Sequence, residues 1–411
     1  MPDDCADAAA MPARADALPL SGITVIDLSH VYNGPYAAFL LAMGGARVIK
    51  VEPPGGEHLR SRGDMGGAAL PFAMLNSNKQ AVTLNLKSEP GRALLLEMAA
   101  RADILVENFA PGVTDRLGIG PAVLQALNPR LIYGSSSGYG KSGPYRDYPA
   151  MDLVMQAMSG VIAVTGYPDQ PPVKSGPALC DFSAGIHLYG AIVTALYQRE
   201  RTGRGRVVEV TMQDAVYASL ASNLGMLHAL SGKVPPRTGN RHGGLGISPY
   251  NVYPANNGYV VINAPGDAHF RSILRVIDRP DLLADPRFLT RATRVAHMRD
   301  VDALLEAWTM RHSKETIAER LLAAAVPCAP VRELDEVVLD RNMHARGSLQ
   351  WVDHPELGRV VLPHSPLQFD GTDRVPLRPS GRLGQDNAAV FGDWLGHPPA
   401  ELEQLARDGV I

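Results

Sequence analysis

An aspartate stands where the chain turns from a loop into its most apolar helical stretch. In KSGPALCDFSAGIHLYG (174–190), Asp181 leads into Ala- and Gly-rich sequence that reads as a helix ending near Glu200. Two roles fit a carboxylate there. It can cap the helix, because Asp accepts hydrogen bonds from the free N–H groups of a first helical turn. It can also attack an activated carbonyl and form a covalent acyl-enzyme. The same free N–H groups and the positive end of the helix dipole keep such a carboxylate ionised and steady an adjacent oxyanion. Local sequence leaves both roles open and supplies no substrate.

The elements that must position this residue read as α/β. Ile23 to Ser29, Ala46 to Glu52, Ala81 to Leu86, Asp103 to Phe109 and Arg130 to Ser137 are short runs rich in β-branched residues, as expected of buried parallel strands. Helical stretches lie between them: PYAAFLLAMGG after Gly34, SEPGRALLLEMAARA opened by Ser88 with Pro90 early in the helix, and GPAVLQALN before Pro129. This alternation predicts a doubly wound parallel sheet with ligands at the carboxyl ends of its strands. Farther on, NVYPANNGYVVIN (251–263) predicts a hairpin turning at Asn256, Asn257 and Gly258, followed by helical, charged sequence to about Ala325. The expected organisation is a mobile tail (1–18), the first part of a large domain (19–223), a smaller α+β domain (224–326) and a turn-rich return to the large domain (327–411) carrying the strand GRVVLP (358–363).

Composition narrows the function. The 411 residues can form two domains with ample core. A formal charge of −3, with Lys and Arg scattered, argues against a nucleic-acid partner. Cys5, Cys180 and Cys328 show no metal-ligand spacing, so neither a zinc site nor a disulfide framework is expected, and a reducing, cytoplasmic compartment fits best. The acidic start MPDDCADAAAMPARADALP lacks the pattern of a secretion signal. No continuous apolar run approaches the roughly 20 residues that span a bilayer, so no membrane partner is expected.

Several segments, in order, carry a family resemblance. PLSGITVIDLSHVYNGPYAAFLLAMGGARVIKVEPPGGE, NSNKQAVTLNLK, VENFAPGVTDRLGIG, YPAMDLVMQAMSG, CDFSAGIHLYGAIVTALYQRERTGRGRVVEVTMQDAV and VPCAPV resemble the class III CoA-transferases, the formyl-CoA and carnitine CoA-transferase family. The resemblance runs from Pro19 to near the end of the chain. It implies a Rossmann-like large domain built from both chain ends, a smaller domain, and linkers that interlock two monomers as a homodimer. It also implies acyl-CoA and a small carboxylic acid as substrates, with no prosthetic group.

On this resemblance Asp181 falls on the catalytic aspartate, attacking an acyl-CoA thioester to give an aspartyl anhydride and then an aspartyl-CoA thioester. His30, Val31, Tyr32 and Asn33 fall where the first strand meets CoA and the acyl group, and Tyr32 replaces a glutamine of some relatives. Leu84, Asn108, Phe109, Val113, Arg116, Leu117 and Ser137 fall on CoA-binding positions. Pro53 stands where the family often has an arginine suited to an adenosine phosphate, leaving Lys141, Arg146 or Arg241 as alternatives. Gly243, Gly244 and Gly246, in GNRHGGLGISP, resemble the glycine-rich active-site loop, where Arg241 and His242 could meet a second carboxylate.

Two other readings stand beside transfer. A 2-methylacyl-CoA racemase needs a His before an Asp in a GHD-like triplet; here the triplet is Ala150, Met151 and Asp152, so one proton carrier is missing. Asp152 is expected to hydrogen-bond the pocket or the helix that follows it. A non-catalytic acyl-CoA-binding protein would keep Asp181 only as a cap.

Overall fold

The computed structural model describes residues 18–60, 69–232, 235 and 237–411, so the expected tail, save Leu18, lies outside the described residues. The chain divides into two units. The first comprises the residues up to Ala150, Asp181–Met212 and Arg341–Ile411; the second comprises Met151–Cys180 and Gln213–Asp340.

The first unit is built on six parallel strands: β1 (Thr24–Asp27), β2 (Arg47–Glu52), β3 (Gln80–Thr83), β4 (Ile104–Glu107), β5 (Ile132–Ser137) and β6 (Val207–Thr211). Their order is β3-β2-β1-β4-β5-β6, the doubly wound arrangement whose ligands gather where the order reverses, at the carboxyl ends of β1 and β4. Alternate residues bury opposite faces. Val25, Val48, Ile104 and Ile132 pack with the helices Asn33–Met43 and Leu179–Thr202. Ile26, Ile49, Leu105 and Tyr133 pack with the helix Glu89–Arg101 and with Val390, Phe391, Leu395 and Val410 of the C-terminal segment. Ser88 caps the Glu89–Arg101 helix, its side chain accepting from the Gly91 amide. β6, not expected as a strand, is the sheet's edge; its VVEVT pattern alternates because one face stays exposed.

The 24-residue Leu179–Thr202 helix is long and apolar enough to cross a membrane by length and composition alone. In this fold its Leu188, Ile192, Ala195 and Leu196 are buried against the sheet.

In the second unit β7 (Tyr250–Ala255) and β8 (Gly258–Asn263) form the hairpin, with Ala255 facing Gly258 across a two-residue turn. Gly258 has φ +149°, which a side chain would strain. β9 (Cys328–Pro330) pairs with β8, so VPCAPV belongs to the smaller unit and not to the returning segment, because β8 needs a partner on its second edge. The unit also takes in Met151–Cys180, which sequence reading assigned to the large domain. Tyr253, Val260, Ile262, Phe270, Val301, Leu305, Trp308, Ile317 and Leu321 form its core. The returning segment adds the hairpin β10 (Leu349–His354) and β11 (Gly358–Pro363) to the first unit.

Ile192 is fully buried and fills the space left by Gly134 on β5, where an added Cβ would lie 2.9 Å from its Cδ1. Ile192→Ala should therefore lower unfolding stability by about 2–5 kcal/mol, read as a shifted urea midpoint at unchanged slope.

Candidate active site

β1 ends in charge. Asp27 is fully buried and accepts from the Lys79 ammonium at 2.8 Å; Lys79 also donates to the Pro35 carbonyl and to Asn76 Oδ1, each at 3.0 Å. The Ser29 hydroxyl takes the other oxygen of Asp27, and the buried Lys50 of β2 donates to the Ser29 carbonyl. Burial pushes the Asp27 pKa up, but Lys79 and Lys50 more than offset it and hold the group at about 2. Burial brings Lys79 down to about 8 against the pull of Asp27. Glu57, 2% exposed, completes the cluster. Burial raises its pKa, but bonding to His30, the Lys50 charge and the Val31 amide bring it below the ordinary value.

The loop after β1 hangs from this cluster. Asn108 Oδ1 accepts from the His30 amide and Asn108 Nδ2 donates to the His30 carbonyl, both at 2.8 Å. The Val31 amide donates to Glu57 Oε2 at 3.2 Å, and His30 Nδ1 lies 3.4 Å from that oxygen. Val31 has φ +67°, a left-handed conformation that β-branched residues rarely adopt. Tyr32 then leads into the Asn33–Met43 helix, and Asn33, 1% exposed, donates to Ser136 Oγ at 2.9 Å.

Asp181 is the third residue of the Leu179–Thr202 helix, inside the first turn and 7% exposed. It is therefore not the residue that precedes the helix, although its carboxylate lies at the dipole's positive end. Its neighbour Phe182 stacks on Tyr32 at 5.8 Å and meets Tyr36 edge-on at 5.1 Å. One turn on, Gly185 lets the helix touch backbone: an added Cβ would lie 2.6 Å from the Asn33 carbonyl oxygen.

Two cavities open beside the loop. The larger, of 480 Å³, is lined by His30, Leu84, Phe109, Val113 and Leu117, five of the residues singled out from sequence. Pro53 and Pro54 form part of its wall, and Asn85, Leu86 and Lys87 also line it. Those three were missed in sequence; their signal was their place directly after Leu84 at the end of β3. Arg116 is exposed and is not among the lining residues of either cavity. The smaller cavity, of 130 Å³, gathers Asn33, Asn108, Phe109, Ser137, Arg146 and Tyr148, so Phe109 borders both. Lys141 lies 3.4 Å from Glu107 and over the Tyr133 ring, which engages its charge within the protein.

The remaining sequence-predicted residues lie in the second unit. Met151 is 60% exposed and precedes the Asp152–Met158 helix. Asp152 accepts from Gln156 Nε2 at 2.6 Å, in the helix that follows it, and from the Cys180 amide at 2.8 Å, in the first turn of the Leu179–Thr202 helix. In the loop, the Gly244 amide donates to His242 Nδ1 at 3.1 Å, and a Cβ on Gly243 would lie 2.9 Å from Asn223 Oδ1. Gly246 is exposed. Arg241 donates through Nε and Nη2 to Asp302 Oδ2, at 3.0 and 2.6 Å, and Asp302 also accepts from Tyr253. The arginine expected to meet a second carboxylate thus already has one.

A sequence profile described as CoA-transferase family III matches residues 20–387. The chain belongs to this family. Acetyl-CoA:oxalate CoA-transferase of Acetobacter aceti is 40% identical to it over 376 residues, 90% of this chain and 95% of that one. Succinate–glutarate CoA-transferase of Agrobacterium fabrum is 35% identical over 408 residues, 97% and 98% of the two chains. Among solved structures, a CAIB/BAIF family protein from Brucella suis superposes with a TM-score of 0.81 at 33% identity, covering 92% of this chain and 99% of that one. The protein is accordingly a class III CoA-transferase.

In this CoA-transferase the Asp27–Lys79 pair has almost no water to fall back on, so removing one partner leaves a buried charge uncompensated. Lys79→Met should cost about 3–5 kcal/mol, while Asp27→Asn with Lys79→Met should cost clearly less than that single change. Urea unfolding of the two variants beside the wild type measures both costs.

Proposed function

We propose that this transferase moves CoA from an acyl-CoA donor to a small carboxylic acid through a covalent intermediate on Asp181. The observation that carries the reading is a buried carboxylate in the first turn of a long helix, at the family's catalytic position. An Asp181 oxygen attacks the thioester carbonyl, the C–S bond breaks, and CoA leaves as the thiolate. The thiolate then attacks the aspartyl carbonyl of the resulting anhydride. This releases the donor acid and leaves an aspartyl-CoA thioester. The acceptor carboxylate attacks that thioester, forming a second anhydride and freeing the thiolate again. Attack of the thiolate on the acceptor's acyl carbon regenerates the Asp181 carboxylate. No external oxidant or base is consumed, because each step exchanges one carboxylate or thiolate for another at an acyl carbon: the donor acid leaves as its carboxylate and the acceptor enters as its carboxylate. The anhydrides must be kept from water, and Tyr32 and Phe182 supply apolar cover for that purpose.

The 480 Å³ cavity suits the nucleotide end of CoA, with apolar walls from Leu84, Val113 and Leu117. Asn108 and Phe109, which border the loop after β1, suit the pantetheine arm. Arg116 and Ser137 complete the CoA contacts of this reading. Relatives named for oxalate and for succinate and glutarate support a short dicarboxylate as acceptor. The reading includes a homodimer and a cytoplasmic setting. Racemisation lacks its histidine, since Met151 carries no titrating group.

Asp181→Ala should fold and dimerise as the wild type does yet lose CoA transfer by on the order of 10³-fold or more. Hydroxylamine should trap an acyl group at Asp181 in the wild type, seen by peptide mass; full transfer by the alanine variant would end this mechanism. A screen of oxalate, succinate, glutarate and monocarboxylates against succinyl-CoA and acetyl-CoA, read by the mass of the CoA product, should find a dicarboxylate the best acceptor.

A further inference from the structure

We propose that Glu57 is a positioning residue for acyl transfer: it holds the loop after β1 in the strained shape that sets Tyr32 and Asn33 beside the Asp181 helix. The proposal rests on the covalent reading of Asp181. Glu57 is buried and lines neither cavity, so it acts through the loop and not by touching substrate.

The loop is clamped from three sides. Asn108 grips both backbone groups of His30, Lys50 holds the Ser29 carbonyl, and Glu57 binds the amide of Val31 itself. Val31 is the residue with φ +67°, and such a conformation persists only where its surroundings enforce it. Immediately after it come Tyr32, stacked on Phe182, and Asn33, whose carbonyl the Gly185 backbone meets. A slip at Val31 is therefore passed directly to both contacts with the helix that bears Asp181.

Glu57 is itself fixed. Its amide donates to Glu52 Oε2 at 3.0 Å, and Glu52 is held by Arg60 through Nε at 3.0 Å and Nη2 at 2.7 Å. Its Oε2 serves Val31 and His30, while Oε1 is buried with no hydrogen-bond partner. The carboxylate also lies in the field of Lys50, with Lys79 nearby. The carboxylate's charge is therefore the property that matters, and Glu57→Gln removes it while leaving shape and one acceptor in place.

In single-turnover reactions with acetyl-CoA, E57Q should acylate Asp181 about tenfold or more slowly than wild type, because small displacements of positioning groups carry large rate costs. Its dissociation constant for CoA, by calorimetry, should stay within about threefold, since Asn108 still holds both backbone groups of His30 and the cavity walls at Leu84, Val113 and Leu117 are untouched. A second change separates positioning from general damage. Glycine takes φ +67° without strain, so V31G added to E57Q should recover a measurable part of the lost rate, at least about threefold. Wild-type acylation by E57Q, a parallel loss of rate and CoA affinity, or no recovery with V31G would each overturn the proposal. Absence of any Asp181 adduct in the wild type, run alongside, would instead overturn the covalent reading and this proposal with it.

Discussion

Two ammonium and two carboxylate groups lie buried together at the carboxyl end of β1, and the site is suspended from them. Lys79 and Lys50 hold Asp27 ionised against its burial, and His30, Lys50 and the Val31 amide hold Glu57 below its ordinary value. Each group is also tied to backbone: Lys79 to the Pro35 carbonyl at the start of the first helix, Lys50 to the Ser29 carbonyl, Glu57 to the Val31 amide. The cluster thus turns electrostatic attraction into a fixed path for the chain between β1 and its helix. Isolated hydrogen bonds at an exposed loop would compete with water and could not enforce a left-handed valine.

The second constraint is the Leu179–Thr202 helix. Its apolar face is pinned to the sheet by Leu188, Ile192, Ala195 and Leu196, while its first turn carries Asp181. Asp152 satisfies one of the free amides of that turn through Cys180, which relieves Asp181 of sole responsibility for ending the helix. Under the proposed mechanism, this leaves the Asp181 carboxylate at the dipole's positive end for chemistry.

Much of this was legible in the residues. Five strands of the main sheet announce themselves as β-branched runs, because strands buried on both faces need no polar alternation. β6 does alternate, because one of its faces stays exposed, and its short VVEVT run inside RTGRGRVVEVTMQD does not stand out as a strand. The hairpin at Asn256 and Asn257 was visible through its turn chemistry, but the third strand at Cys328 was not, since CAP is short and pairs with residues some seventy positions away. At the site, His30, Leu84, Phe109, Val113 and Leu117 do converge on one cavity. Arg241, a candidate to meet a second carboxylate, is instead held by Asp302 on a distant helix, and no local pattern signals such a pair. Nor does any local pattern signal the left-handed Val31, whose amide Glu57 binds while Asn108 and Lys50 hold the residues before it.

Gly185 separates reactivity from selectivity. Because it brings helix backbone against the Asn33 carbonyl, the spacing between the helix that bears Asp181 and the loop after β1 is set main chain to main chain, with no side chain as a shim. On the proposed function, exchanging Tyr32 and Phe182 for larger, smaller or more polar residues would reshape the space for the acyl group while the Asp181 carboxylate keeps its place. A scaffold of this kind can be retuned from one acid to another without rebuilding its chemistry.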